Sequence, residues 1–198
     1  NFPKMNFGNM PNDNGLLLLS SEGKDLLVNN NNRISKYIKK TVGAAEFIRG
    51  QIRYCLWVKP EEYEEAQTIN ELNNRFEQIA TYRSNSNRSA TSILASVPYR
   101  FGEVRHKDTN AIIIPSVSSE NREYIPMGIL SNDTIVLNSA MVVYDAEPWL
   151  FSILTSKMHM AWVKVVGGRL KTDYRYSASV VYNNFPCPKL SYKKKEVL

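Results

Sequence analysis

Four short runs rich in apolar and β-branched residues, at 111–115, 123–130, 134–137 and 140–144, follow one another with turn residues between them. Runs of that length bury side chains as strands, because a helix needs a longer stretch to build one apolar stripe. Asn132-Asp133, between two of the runs, reads as a hairpin turn. Directly after them, 148–166 carries Leu150, Ile153, Leu154, Met158, Trp162 and Val165 at helical spacing, and Gly167-Gly168 stops that helix. A last short strand is expected at 180–182. Strands in series beside separate helices set the fold class as α+β: a mostly antiparallel or mixed sheet with flanking helices.

The first half is more helical. Residues 1–15 are rich in Asn, Pro and Gly and read as an extended lead-in, followed by a short buried strand at 16–19. A helical turn or two is expected at 22–28, a flexible Asn connector at 29–32, and two short helices at 34–40 and 44–48 broken at Gly43. The run 52–58 reads as an aromatic strand with Tyr54 and Trp57 on opposite faces. Pro60 opens the longest helix, since proline suits a first turn and Glu61, Glu62, Glu64 and Glu65 complement the helix dipole. Ile69, Leu72, Phe76 and Ile79 continue its stripe to about Tyr82, and 88–95 adds a second helical piece stopped at Val97-Pro98. The 198 residues suffice for one domain over 1–190. In that domain 1–50 is the lead-in with small helices, 51–188 the core, and 191–198 a basic tail. The chain opens on Asn1 in mid-pattern, as an excerpt of a larger protein does.

The net charge is +6, and the excess is uneven. From 75 to 107, Arg75, Arg83, Arg88, Arg100, Arg105 and Lys107 face only Glu77 and Glu103, and from Lys157 onward nine Lys and Arg face Asp173 and Glu196. The acids gather instead at 61–71. Such asymmetry suits a polyphosphate, and equally an acidic protein partner.

Catalytic motifs are scarce. Cys55 and Cys187 lie far apart without metal-ligand spacing, so a zinc site would need both to converge with His106 and His159. Cys55 in an apolar run and Cys187 between two prolines read as reduced thiols of a cytoplasmic protein. No apolar stretch is long enough for a membrane span. Asp13, Glu22 and Lys24 imitate the spacing of a Mg-dependent nuclease, in which two carboxylates hold the metal and a lysine assists water. The competing reading has Ser20 or Ser21 capping a helix that carries Glu22 and Lys24 off the strand edge. His159, among apolar residues on a helix, reads as a packed, hydrogen-bonded core residue, and His106 as part of a solvated loop. No Walker loop, Gly-x-Gly fingerprint or Gly-x-Ser-x-Gly elbow occurs.

Three polar segments stand out against this background. Residues 167–177 set Arg169, Lys171, Asp173, Tyr174, Arg175, Tyr176 and Ser177 behind the Gly-Gly hinge, as a polar loop between helix and strand. Residues 116–124 and Asn138-Ser139 place further polar groups between apolar runs. Arg, Lys and Asp can read base edges, and Tyr and Ser can hold phosphate or sugar. All three together fit a convergent binding face.

One set of motifs is specific. Pro3-Lys4-Met5-Asn6-Phe7-Gly8, Leu17-Leu18-Leu19-Ser20, Arg53-Tyr54-Cys55-Leu56-Trp57 and Phe101-Gly102-Glu103-Val104-Arg105 occur in that order. Ile114-Pro115-Ser116-Val117-Ser118-Ser119-Glu120, Met158-His159-Met160-Ala161-Trp162-Val163, Gly168-Arg169-Leu170, Tyr174-Arg175-Tyr176-Ser177 and Val181-Tyr182-Asn183-Asn184-Phe185-Pro186 follow. Over residues 3–188 the chain closely resembles the target-recognition domain of MmeI-like (type IIL) restriction–modification enzymes.

In that family one polypeptide carries a nuclease, an N6-adenine methyltransferase using S-adenosylmethionine, and this DNA-reading domain. The family's Asn-Pro-Pro-Tyr signature and glycine loop do not occur here, so the resemblance implies recognition of double-stranded DNA without catalysis or cofactor. S-adenosylmethionine and Mg are expected in the parent enzyme, and its methyltransferase domain as a partner. It places base-reading positions at Ser116, Ser118, Glu120, Arg122, Asn138, Ser139, Lys171 and Asp173. Lys171 suits guanine acceptors, Asn138 adenine and Asp173 a cytosine amino group. Arg83, Ser84, Arg88, Thr91, Arg105, Arg169, Tyr174, Arg175, Tyr176 and Ser177 are the expected backbone contacts. A stand-alone nuclease and a protein-docking module remain the alternatives.

Overall fold

The computed structural model describes residues 2–187 and 190–197. The opening Asn1, and Pro188 after Cys187, lie outside them.

The chain enters as strand β1 (Met5–Phe7) and forms β2 (Leu18–Leu19) within the expected apolar run. The Ser20 hydroxyl accepts from Gly23 N at 3.0 Å and caps α1 (Ser21–Asn30), satisfying one of the free amides of a helix start. Asn29 and Asn30 belong to this helix, and Asn31 caps a 3₁₀ segment, Asn32–Tyr37, by accepting from Arg33 N at 3.1 Å. The expected flexible connector is therefore a pair of capped ends. The helix expected at 34–40 stops at Tyr37, and Ile38–Val42 is strand β3, where β-branched Ile38, Thr41 and Val42 suit the pleated surface. After α2 (Ala44–Arg49) the chain forms β4 (Arg53–Leu56) within the expected aromatic strand.

Pro60 does not open one continuous helix. A 3₁₀ turn (Pro60–Glu62) leads through α3 (Tyr63–Ala66) to a break, where the Thr68 hydroxyl donates to Glu65 O at 2.8 Å and Ile69 is extended. Local hydroxyl-to-backbone bonds of this kind compete with helix propagation. The long helix is α4 (Asn70–Ser84), with Leu72, Phe76 and Ile79 buried. A short α5 (Ser89–Ser92) and a 3₁₀ turn (Ile93–Ser96) follow.

The apolar runs of the second half become β5 (Ala111–Pro115), β6 (Val117–Ser118), β7 (Gly128–Leu130), β8 (Thr134–Val136) and β9 (Ala140–Tyr144). Among the described residues β5, β7 and β9 lie in a four-stranded sheet ordered β1-β9-β5-β7, β8 lies in a second ordered β2-β4-β3-β8, and β6 lies in a third, three-stranded sheet with two strands from the end of the chain. The Asn132-Asp133 hairpin does not form. β7 pairs antiparallel with β5, whereas β8 pairs parallel with β3 in the other sheet. The turn residues are present, but partner choice was decided by which apolar faces each strand could cover.

β5 and β9 are buried on both faces. Ile112, Ile114, Met141 and Val143 enter one hydrophobic cluster, and Ala111, Ile113, Ala140, Val142 and Tyr144 enter another. That two-sided burial explains continuous apolar runs where a half-solvated strand would alternate. Where the two sheets meet, the backbones nearly touch. A Cβ on Gly8 would lie 2.3 Å from Leu137 O and 2.5 Å from its carbonyl carbon, so only glycine fits. The neighbouring Asn9 is fully buried, donating to Val136 O at 2.9 Å and accepting from Arg105 N and His106 N.

The helix expected over 148–166 is two: α6 (Pro148–Leu154) and α7 (Lys157–Val166). The Ser156 hydroxyl accepts from His159 N at 3.1 Å and restarts the helix in a new phase. Leu150, Ile153 and Leu154 are buried as expected, but in α7 the inner face is His159, Met160 and Val163. Met158 and Val165 turn outward. Then come β10 (Gly168–Leu170) and β11 (Asp173–Arg175). The expected strand at 180–182 is instead a π-helical turn, Ala178–Tyr182, capped by the Ser177 hydroxyl. The basic tail forms α8 (Tyr192–Val197). Among the described residues no helix is long and apolar enough to cross a membrane.

Candidate nucleic-acid interface

The polar segment after α7 is a β-hairpin, where a loop was expected. Gly168 pairs with Arg175, Arg169 with Tyr174 and Leu170 with Asp173, leaving Lys171-Thr172 as a two-residue tip. Lys171 has φ of 56°, the left-handed backbone that tight hairpin turns require. The other edge of β11 pairs with β6, Tyr174 opposite Ser118 and Arg175 opposite Val117. Two of the three polar segments thus share one sheet.

Hydrogen bonds tie in the rest. Tyr176 N donates to Ser116 O at 2.9 Å, and the Ser116 hydroxyl donates to Ser139 O at 3.0 Å. Glu120 N donates to Asp173 Oδ1 at 3.3 Å, holding the 119–122 turn against the hairpin. The Ser139 hydroxyl accepts from Ala44 N at 3.0 Å, anchoring the corner to α2. The structure therefore brings 116–122, 138–139 and 168–175 together. Glu120, Arg122, Ser139, Lys171, Arg169 and Arg175 are exposed on this assembly, with Ser116, Asn138 and Asp173 half-buried. The Arg169 guanidinium stacks over Tyr174, 3.9 Å from its ring centre, which pre-orders the side chain.

Burial corrects part of the expected contact set. Arg83 is fully enclosed, and its guanidinium donates to the carbonyls of Asn12, Leu94, Val97, Pro11 and Arg100 at 2.7–3.1 Å. It ties the lead-in segment to the turn after α5 and has no free face for a phosphate. The signal was present in the sequence, because position 83 continues the 72–76–79 stripe by one turn. Ser118, Tyr174 and Tyr176 are buried as well, and serve as the floor of the hairpin. The Ser177 hydroxyl accepts from Val180 N at 3.1 Å. Arg105 donates to Gly8 O at 2.8 Å and pairs with Glu103. Ser84 and Arg88 are exposed and Thr91 half-buried, all at the α4–α5 corner beside the other sheet's core.

The two histidines are both packed. His159 Nε2 lies 2.9 Å from the Tyr176 hydroxyl, and burial lowers its pKa to about 4. His106, expected in a solvated loop, has a side chain only 4 % exposed, set edge-on to Trp57 and Tyr144 and 3.3 Å from Asp108. Burial, followed by the nearby Lys39, lowers its pKa. Cys55 is buried in the cluster of the second sheet, its thiol pushed up to about 12 by burial, while Cys187 packs on the first. The four zinc-type residues do not converge. The nuclease-like triad does not converge either. Asp13 accepts from Gly15 N and Leu17 N at 3.1 and 2.5 Å, Glu22 is exposed in the first turn of α1, and Lys24 pairs with Asp25 at 2.8 Å. Among the described residues no group of three or more His, Cys, Asp or Glu is placed to hold a metal ion.

A sheet edge presenting exposed cations, acids and amides from three segments, two of them hydrogen-bonded to the third, defines a recognition domain. The chain belongs to the MmeI target recognition domain family, whose model matches residues 1–189. It is 46% identical over 193 residues to DNA methyltransferase A of Bacillus subtilis (strain 168), covering 98% of this chain and 22% of that protein. The solved structure of the type IIL restriction-modification enzyme MmeI in complex with DNA superposes with a TM-score of 0.92 at 36% identity, over 99% of this chain and 26% of that one. The chain thus spans about a quarter of the length of these relatives or less.

Proposed function

We propose that this chain selects the DNA sequence on which a longer restriction–modification polypeptide acts, and that it is not catalytic by itself. The observation that carries the reading is the convergence of 116–122, 138–139 and 168–175 on one face through the Ser116–Ser139, Tyr176–Ser116 and Glu120–Asp173 bonds. A relative solved with DNA supports it. Glu120, Arg122, Asn138, Lys171 and Asp173 are the base-reading candidates, because they sit on turns and strand ends that these bonds hold together, and a small displacement would lose a hydrogen bond to a base. Arg169, Arg175, Arg88 and Ser84 are the phosphate contacts. In this reading the S-adenosylmethionine that supplies the methyl group for adenine-N6 transfer, and the Mg of the parent enzyme, are held in other parts of the polypeptide. The described residues do not fit a Mg site, since Asp13 is bonded to backbone amides and Glu22 points from a helix surface.

The test is duplex binding as a function of salt. The slope of log K against log salt should be steep and negative, from counterion release, and should flatten when Arg169 and Arg175 are both replaced by Ala. A flat slope in the unaltered protein would remove phosphate contact from the reading.

A further inference from the structure

The register of the three-stranded sheet fixes which of its side chains face outward. Side chains alternate along a strand, and directly paired residues share a face. Arg169, Tyr174 and Ser118 therefore lie on one face, and Gly168, Leu170, Asp173, Arg175 and Val117 on the other. Tyr174 and Ser118 are buried, so the second face is the outward one, and it carries Asp173 and Arg175. Beside them, one residue before the hairpin tip, Leu170 is 53% exposed.

A single exposed leucine is ordinary, but the slot next to it is not. Gly168 stands two residues before Leu170 on the same face, exposed and directly opposite Arg175. Its backbone lies outside the left-handed region that favours glycine. Among the described residues, a Cβ at this position would come within 4 Å only of Arg175 Cβ, at 3.9 Å, an ordinary contact. Glycine weakens a strand, and here, unlike at Gly8, nothing in the fold requires it. The empty slot leaves room for a group from outside, and close approach of a ligand is the other reason for a glycine in a strand.

We propose that Gly168 and Leu170 form a notch for the C5-methyl group of a thymine, which makes Leu170 a specificity-determining residue. The proposal rests on the reading of 168–175 as a DNA-contacting hairpin. A two-stranded ribbon fits the major groove, and on the base edges there the thymine methyl is the one apolar group. Leu170 gains by leaving water only against that methyl, since the hydrogen-bonding atoms of the other bases, and phosphates, want polar partners. The slot at 168 lacks one side-chain carbon, the size of the methyl it would receive. Asp173, paired with Leu170 across the hairpin, stands beside the notch to accept from an amino group on the adjoining base.

The experiment uses a full-length polypeptide carrying this chain, with its target first selected from a pool of random duplexes. Each thymine of the target, on either strand, is then replaced in turn by deoxyuridine, which removes the methyl and nothing else. At one position the exchange should weaken binding about fourfold, the worth of one buried methyl. In Leu170→Ala, and in Gly168→Ala where a new methyl fills the slot, thymine and deoxyuridine should bind equally at that position. Thermal unfolding of Gly168→Ala should begin no lower than that of the unaltered protein. A target without thymine, a target in which no exchange matters, or a thymine preference that survives both substitutions would each overturn the proposal. So would a lower unfolding temperature for Gly168→Ala, because the glycine would then serve the fold. Selection that yields no preferred duplex would sink the recognition reading itself, whereas a clear target indifferent to deoxyuridine would sink only the notch.

Discussion

His159 Nε2 and the Tyr176 hydroxyl lie 2.9 Å apart in the core, joining the inner face of α7 to the residue that follows β11. Phe185 closes the pair edge-on, its ring centre 4.7 Å from the imidazole. Burial keeps the phenol protonated and the imidazole neutral at pH 7. The hairpin is thus bolted to a helix by a neutral bond whose strength depends on His159 not accepting a proton.

Stability should fall as pH drops from 6.5 towards 4. Above 6.5 the histidine is neutral folded and unfolded. Between 6.5 and about 4 the unfolded chain binds a proton that the folded chain refuses, so each step down favours unfolding. The total approaches about 3 kcal/mol at pH 4. Urea unfolding at pH 7.5 and 4.5 should show the loss, and His159→Leu should remove His159's share of it, leaving that of His106, whose pKa burial also lowers. An unchanged slope in that variant would assign the effect to other groups.

Arg83→Met should cost about 3–5 kcal/mol, because five buried carbonyls lose their donor at once. At a temperature where the variant stays folded, its salt slope for duplex binding should equal that of the unaltered protein. Arg88→Ala should do the reverse, leaving stability within about 0.5 kcal/mol and reducing the slope by about 1. A reduced slope for Arg83→Met would contradict the burial.

Lys171 separates backbone from side chain. Its φ of 56° is strained for lysine, so Lys171→Gly should stabilise the hairpin by about 0.5–1 kcal/mol. The same change should weaken cognate binding by about 1–3 kcal/mol and relax one base position. Thermal unfolding and motif determination in the full-length enzyme check the two halves. A variant that binds its site unaltered would withdraw Lys171 from readout.

Asp173 is expected to act twice, facing a base and holding Glu120 N. Asp173→Asn keeps an oxygen for the amide and loses only the charge, so it should alter preference at one base with little loss of affinity. Asp173→Ala frees the 119–122 turn and should weaken recognition at more than one position. Identical motifs for the two variants would refute the coupling.

Gly8→Ala should destabilise the fold by about 3 kcal/mol, since the added methyl meets backbone atoms of Leu137 that no rotamer change can move. Denaturant midpoints measure it directly.

Much of this was legible in the chain because its causes are local. The runs 111–115 and 140–144 became β5 and β9 at those limits, their length and β-branched content leaving no alternative. Ser20 capped α1 as its position required. The three polar segments could be named because polar punctuation between apolar runs lies at the ends of strands, and the family motifs added their expected contact roles. Other features needed the third dimension. Whether Thr134–Val136 pairs with the strand before it or with β3 is not written in its own residues. Which face of α7 is inner depended on the phase set at Ser156, and so Met158 and Val165 could not be told from core positions by spacing alone. Position 83 continues the stripe of Leu72, Phe76 and Ile79, but that a guanidinium can be held there depends on the ring of carbonyls that distant segments offer it. Periodicity and capping, acting within a few residues, determined the elements. Strand partners, helix phase and the joining of 116–122, 138–139 and 168–175 into one face were decided by packing between residues far apart in the chain, where burial of whole faces outweighs any local preference.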